Sequence, residues 1–327
     1  MKKRLFAIFL AGAVGMGLLS GCGAAAGEDT YKISVIVKHT DNHFNKVMAG
    51  ARAFDEEHED VQVEFLSPTS AIAFDEQMNI IETALTMEDT DAVVISPLQS
   101  TTTASLVDSL AGDKVIIALD TDFVSEKKAA FVGTGNEAAA RSGADAAVLA
   151  AKERGAEAPT AVILTGVQGD ETHVNRENGY IAGIEAGGGQ VVDLQYCDAM
   201  ADRAAAAMEA IIQNHPEGVD IVLATSDDMA MAAVKIIQDS GLAAYADTVV
   251  CGFDGNRASL LAVQDGKLSM DVVQQGYEMG YLSVEAAYKV LTGGSVEPFI
   301  DSGSKVVDAE NVDEYIAQMQ EKKIWDV

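Results

Sequence analysis

Carboxylates, hydroxyls and amides recur in this chain directly behind its short β-branched runs. Asp41-Asn42 follows the first run and Asp120-Thr121-Asp122 the fourth; Ser226-Asp227, Asp254 and Gln274-Gln275 follow runs in the second half. Such groups supply charge, donors and acceptors to a polar ligand, and no nucleophile–base pair can be named among them. Two local spacings suggest sharper chemistry. Gly133-Thr134-Gly135-Asn136-Glu137-Ala138 matches the G-x-G-x-x-A dinucleotide fingerprint. The partner acid, some 20 positions on, should end the next strand, whereas Glu153 and Glu157 fall on the helix or its exit. A hinge, where glycine lets the chain cross between lobes, is the better reading. His39-Thr40-Asp41-Asn42-His43 straddles a strand-to-helix loop and lacks the Glu of a helical zinc motif, so its histidines read as solvated loop residues. The chain contains neither a G-x-S-x-G elbow nor a P-loop. No catalytic residue, metal or cofactor is expected.

A scaffold must bring these strand ends together. β-branched runs occupy residues 31–37, 61–66, 91–96, 114–119 and 129–132, and a second set occupies 160–165, 190–196, 219–224, 248–252 and 268–273. Ala-, Glu- and Met-rich stretches at helical spacing separate them, as at 43–59, 72–87, 203–214 and 229–240. Continuous apolar strands alternating with helices predict parallel sheets covered on both faces. The expected fold class is therefore α/β, with two doubly wound lobes and a break near Gly133-Thr134-Gly135. Ligands of open α/β sheets sit beyond the carboxyl ends of the strands. Two lobes facing each other by those ends would enclose one polar crevice.

A chain of 327 residues, 48% hydrophobic, suits two domains with their own cores. With 22 basic against 51 acidic side chains the net charge is −29, which repels a polyanion and argues against nucleic acid as a partner. Lys2-Lys3-Arg4, an apolar stretch over 5–19 and the small residues before Cys22 describe an export signal, too short and Gly-rich for a permanent span. Leu19-Ser20-Gly21-Cys22 resembles the lipobox of bacterial lipoproteins. That likeness implies a signal peptide over residues 1–21, lipid attachment at Cys22 and a tether over 22–30. The mature protein would then be anchored to the outer face of the cytoplasmic membrane, or lie in the periplasm. Loss of three positive charges with the signal moves −29 to −32. Cys251 lies in a buried-strand pattern and reads as an inert thiol; a bridge to Cys197 is left open. Asp55-Glu56-Glu57 and Glu59-Asp60 read as a solvated helix face.

Residues 33–44, Asp91-Ala92-Val93-Val94-Ile95-Ser96-Pro97, residues 224–230 and Val250-Cys251-Gly252-Phe253-Asp254-Gly255 occur in one order. On these segments the chain resembles the type I periplasmic binding proteins of the ribose/galactose group, the sugar receptors of bacterial ABC importers. The resemblance covers nearly the whole mature chain. It implies two lobes joined by a hinge of three crossings, near Thr134-Gly135, Gln274-Gln275 and Ser302-Gly303, with the ligand cleft between them. The first lobe would comprise 31–134 plus 275–302, the second 135–274 plus 303–327. It implies a monosaccharide or related polyol as ligand, an ABC permease as partner and a monomeric receptor. It also implies ligand contacts from Asn42, Phe44, Asp120, Arg176, Asp254 and Gln274, with the Phe44 ring lying against the apolar face of the sugar or serving the core. Carboxylates, a guanidinium and an amide satisfy the donors and acceptors of a polyol.

Three positions depart from the ribose-type pattern: Lys38 replaces a small polar residue, Thr121 an arginine and Ser226 an asparagine. A cation has moved from one strand end to another, so a ligand other than plain ribose is expected, with Lys38, Thr121 and Ser226 among the ligand-binding residues; Lys38 would pair with Asp120 or Asp122 and donate to a ligand oxygen, or else extend to solvent. Lys38, Asp120-Thr121-Asp122 and Val272-Val273-Gln274-Gln275-Gly276 are also similar to receptors for the furanosyl autoinducer. A sugar-responsive repressor, which shares this fold, would need a DNA-binding helix-turn-helix where the export signal stands. A secreted α/β enzyme is the remaining alternative.

Overall fold

The protein is described by a computed structural model over residues 30–70 and 72–325. The export signal, Cys22 and all of the tether except its last residue lie outside the described residues. Among the described residues no helix is long and apolar enough to cross a membrane.

The first half alternates Tyr31–Ile36 (β1), Asn42–Glu57 (α1), Val61–Leu66 (β2), Phe74–Thr86 (α2), Ala92–Ile95 (β3), Ser100–Leu110 (α3), Val115–Leu119 (β4) and Lys128–Gly133 (β5). The second half runs Asn136–Glu153 (α4), Thr160–Thr165 (β6), Glu171–Ala186 (α5), Gln190–Tyr196 (β7), Ala201–Asn214 (α6), Ile221–Ala224 (β8), Asp227–Ser240 (α7), Val249–Asp254 (β9), Arg257–Gln264 (α8) and Met270–Gln274 (β10). Gly276–Leu291 (α9), Phe299–Asp301 (β11), Ser304–Asp308 (β12) and Val312–Glu321 (α10) complete the described chain. The strands form two six-stranded sheets, ordered β11-β5-β4-β3-β1-β2 and β12-β10-β9-β8-β6-β7. Every pairing is parallel except that of β12 with β10.

Residue type explains which strands are central. β3 (AVVI) and β8 (IVLA) are buried along their whole length, as strands covered on both faces must be. The edge strands β2 (VQVEFL) and β7 (QVVDLQY) intersperse polar residues instead. Alternation along each strand splits the apolar residues between two faces. Ala92 and Val94 join the core under α1 and α9, while Val93 and Ile95 join the core on the opposite face of that sheet. The second sheet likewise carries a core on each face. Cys197 and Cys251 are free and belong to different ones of these cores, so no bridge joins them.

Helix α9 follows a strand of the second sheet yet packs on the first, because glycines admit it. A Cβ on Gly50 of α1 would lie 1.8 Å from the Tyr277 carbonyl oxygen, and one on Gly280 of α9 would lie 1.8 Å from that of Val47. The three passages of the chain between the sheets run side by side. The Ser302 N–H donates to the Gly133 carbonyl (2.9 Å), the Gly135 N–H to Asp301 (3.3 Å) and the Thr134 hydroxyl to Gln274 Oε1 (2.9 Å).

Candidate functional site

The first sheet delivers its polar groups from three strand ends. Behind β1, Asp41 caps α1 by accepting from the Phe44 N–H at 2.7 Å, so the helix opens at Asn42. His43 therefore sits in the first turn and is only 8% exposed. This corrects the reading of a solvated loop histidine: with the cap at Asp41, His43 lies in the first turn of α1 and its ring is covered at the end of β4. There His43 Nε2 lies 2.9 Å from Asp120 Oδ1. Asp120 follows β4 with φ +62°, a left-handed conformation that residues other than glycine adopt uncommonly. Its other oxygen accepts from Thr121 at 3.1 Å and from Ser96 at 3.4 Å, and lies 3.8 Å from Lys38 Nζ.

The second sheet delivers a matching set. Arg176 on α5 is 4% exposed; its Nε donates to Asn136 (2.8 Å), and its Nη1 to the Thr225 carbonyl (2.8 Å) and to Asp254 (3.2 Å). The guanidinium lies 3.7 Å over the Phe253 ring. Asp254, at the end of β9 with φ +132°, also accepts from Gln274 Nε2 at 2.7 Å. Ser226 Oγ is buried without a hydrogen-bond partner among the described residues.

The two sets meet. Lys38 Nζ lies 3.9 Å from Asp170, the N-cap of α5, and the hydroxyls of Thr121 and Thr172 are 3.1 Å apart. Burial alone would raise the Asp120 pKa, but the His43 hydrogen bond and the charges of Lys38 and Arg176 hold it well below the usual carboxylate range. The same pair raises the pKa of His43 against its burial. For Asp254 burial outweighs Arg176 and the pKa is raised. Burial and the Arg176 charge push His173 down to about 4.

Of the residues singled out from sequence, Lys38, Asp120, Thr121, Arg176, Asp254 and Gln274 are linked in this way, with Ser226 buried at the end of β8. Lys38 faces Asp120 and Asp170; Asp122 pairs with Lys128 instead. Asn42 is exposed and stands outside the cluster. Phe44 belongs to the core under α1 and meets the rings of His43 and His39 edge-on. His43, Asn136, Asp170 and Thr172 escaped sequence reasoning; the capping pattern at Asp41 was the one local signal for His43. Among the described residues no group of three or more His, Cys, Asp and Glu side chains is placed to hold a metal ion.

Two α/β lobes that face each other by their strand ends across charged and hydrogen-bonding side chains define a cleft-type solute-binding protein. Residues 33–295 match the model of the periplasmic binding protein domain family, and the chain belongs to that family. It is similar to the ribose import binding protein of Bacillus subtilis (strain 168), 32% identical over 225 residues, which are 68% of this chain and 70% of that protein. A carbohydrate transporter solute-binding protein from Agrobacterium radiobacter, in complex with D-arabinose, has a similar structure with TM-score 0.78 and 28% identity, covering 90% of this chain and 97% of its own. A periplasmic solute-binding protein from Actinobacillus succinogenes with bound D-allose shares the fold at TM-score 0.78 and 20% identity, over 88% of this chain and 100% of its own. Family and relatives are transport proteins, not enzymes, and the family's place is outside the cytoplasm.

Proposed function

We propose that this protein captures a monosaccharide or related polyol between its lobes and delivers it to an ABC permease. The observation that carries this reading is the meeting of two polar sets from facing strand ends: Asp120 with His43 and Lys38, and Arg176 with Asp254 and Gln274. Carboxylates accept from sugar hydroxyls, while the guanidinium and amide donate to them. The ribose import proteins and the arabinose complex among its relatives support the same ligand class. Binding closes the lobes about the three adjoining crossings, whose boundaries are residues 134–135, 274–275 and 302–303. The receptor is a monomer held to the membrane by lipid on Cys22.

A thermal-shift panel of pentoses, hexoses, inositols and linear polyols tests the ligand class. At a hundred times its dissociation constant, a ligand that binds only the native state adds about 2.7 kcal/mol of stability. One sugar or polyol should raise the melting temperature by several degrees; a flat panel overturns the proposal. Replacing Cys22 with Ser should release the protein from membranes, and unchanged membrane retention would refute the anchor.

A further inference from the structure

The buried cluster does not exhaust the cleft. Beside it lies a cavity of about 630 Å³, between the ends of β4 and β5 on one side and the first turns of α4 and α5 on the other. Pockets of roughly 300–1,000 Å³ hold molecules of drug size, so there is room for a group as large as a second ring. The partition between cavity and cluster is one side chain thick. Asp120, Asn136 and Thr172 line the cavity and at the same time bond to His43, Arg176 and Thr121 respectively.

Chemistry in the cavity differs from that in the cluster. Its wall carries Phe131 and Phe299, stacked at 5.4 Å with their planes 23° apart. Phe299 remains 44% exposed, although it is a large apolar residue in a chain with only 6% aromatics. A half-exposed flat aromatic face beside polar groups suits the apolar face of a ring that also carries hydroxyls. Asn175 lines the opposite wall. Thr172, Asn175 and Arg176 stand at i, i+3 and i+4 on α5 and share one side of that helix. Arg176 serves the buried cluster; Asn175 lines the cavity.

We infer that the cleft has two compartments and that its ligand is a glycoside: one ring held by Asp120, Arg176 and Asp254, a second, O-linked ring against Phe131 and Phe299 with Asn175 as its polar contact. This rests on the sugar-binding reading above. The test is calorimetric titration of D-ribose, D-arabinose, D-allose and D-glucose, each beside its methyl, phenyl and glucosyl O-glycosides. At least one phenyl or glucosyl glycoside should bind about tenfold or more tighter than its free sugar. Phe299→Ala should abolish that increment while leaving the free sugar within about twofold of wild type, and Asn175→Ala should reduce the increment. Free sugars that bind while glycosides are refused, or glycoside binding indifferent to Phe299→Ala, would overturn the second compartment and leave the sugar reading standing. Failure of every free sugar and glycoside to bind would overturn both.

Discussion

Lys46 Nζ donates to the carbonyl oxygen of Gly255 at 2.6 Å, tying the first helix of one lobe to the turn behind β9 of the other. The lysine is 6% exposed, and burial lowers its pKa against the pull of Asp227, Asp271, Asp254 and Asp41. The acceptor is held in place: Gly255 has φ +77°, and a Cβ there would lie 2.3 Å from Val273 Cγ1. Lys46 is thus a strap between the lobes.

Lys46→Met keeps the aliphatic stem and removes the donor. Leaving a buried carbonyl unpaired costs about 1–3 kcal/mol. The urea midpoint should fall accordingly, and solution scattering without ligand should show a larger radius of gyration. An unchanged midpoint and radius would mean that the strap contributes nothing.

A second expectation concerns pH. Asp227 and Asp271 lie together, 1% and 0% exposed; burial pushes Asp271 up to about 7 and raises Asp227 as well. Three of their four carboxylate oxygens find no donor among the described residues, so a shared proton is what turns the pair into donor and acceptor. Because the folded pKa lies above the ordinary value of 3.8, their stabilisation is complete below pH 4 and is lost as pH rises through about 7. His43, also raised, acts in the same direction. Asp120 and His173, both lowered, act oppositely on the acid side. Wild type should lose stability between pH 5.5 and 8, and Asp271→Asn should lose markedly less; parallel curves would exclude the pair as the cause.

Arg176 has a structural duty besides any ligand contact. Its removal takes this donor from Asn136 and the Thr225 carbonyl and leaves the Asp254 carboxylate with the Gln274 amide but no cation. Arg176→Ala should therefore lower stability by about 3–5 kcal/mol. Asp254→Asn keeps an acceptor for Arg176 and should leave the fold intact while weakening ligand binding by roughly 2–5 kcal/mol. Calorimetry of folded Asp254→Asn reads the second effect, and wild-type affinity would remove Asp254 from the ligand site.

Lys38 is 16% exposed and stands 3.8 and 3.9 Å from two carboxylates on opposite lobes. At such distances its value to the fold is small, about 1 kcal/mol or less at a partly exposed site. Lys38→Ser should change the order in which sugars and polyols bind more than it changes the melting temperature. An unaltered order and affinity would return Lys38 to a purely electrostatic role between Asp120 and Asp170.

Ten of the twelve strands among the described residues are legible as β-branched runs, continuous in central strands such as β3 and β8 because burial on both sheet faces demands it, and interspersed with polar residues at the edges β2 and β7. β11 and β12 are not: three residues of Phe-Ile-Asp and five of Ser-Lys-Val-Val-Asp are too short and mixed to show a period, and their neighbours in the sheets supply the order. Asp120, Asp254 and Gln274 stand out in the sequence, since a polar residue directly behind an apolar strand marks its carboxyl end. Arg176 stands out through its segment's family resemblance, with no signal in its own spacing. His43 against Asp120, Thr121 against Thr172 and Lys46 against Gly255 join positions 77, 51 and 209 residues apart. The sequence by itself determined two parallel-sheet lobes and the ends at which their polar groups gather, because side-chain period and burial are local properties of a strand or helix. Which of those groups touch was decided by the tertiary structure, since that depends on how the three adjoining crossings set one sheet against the other.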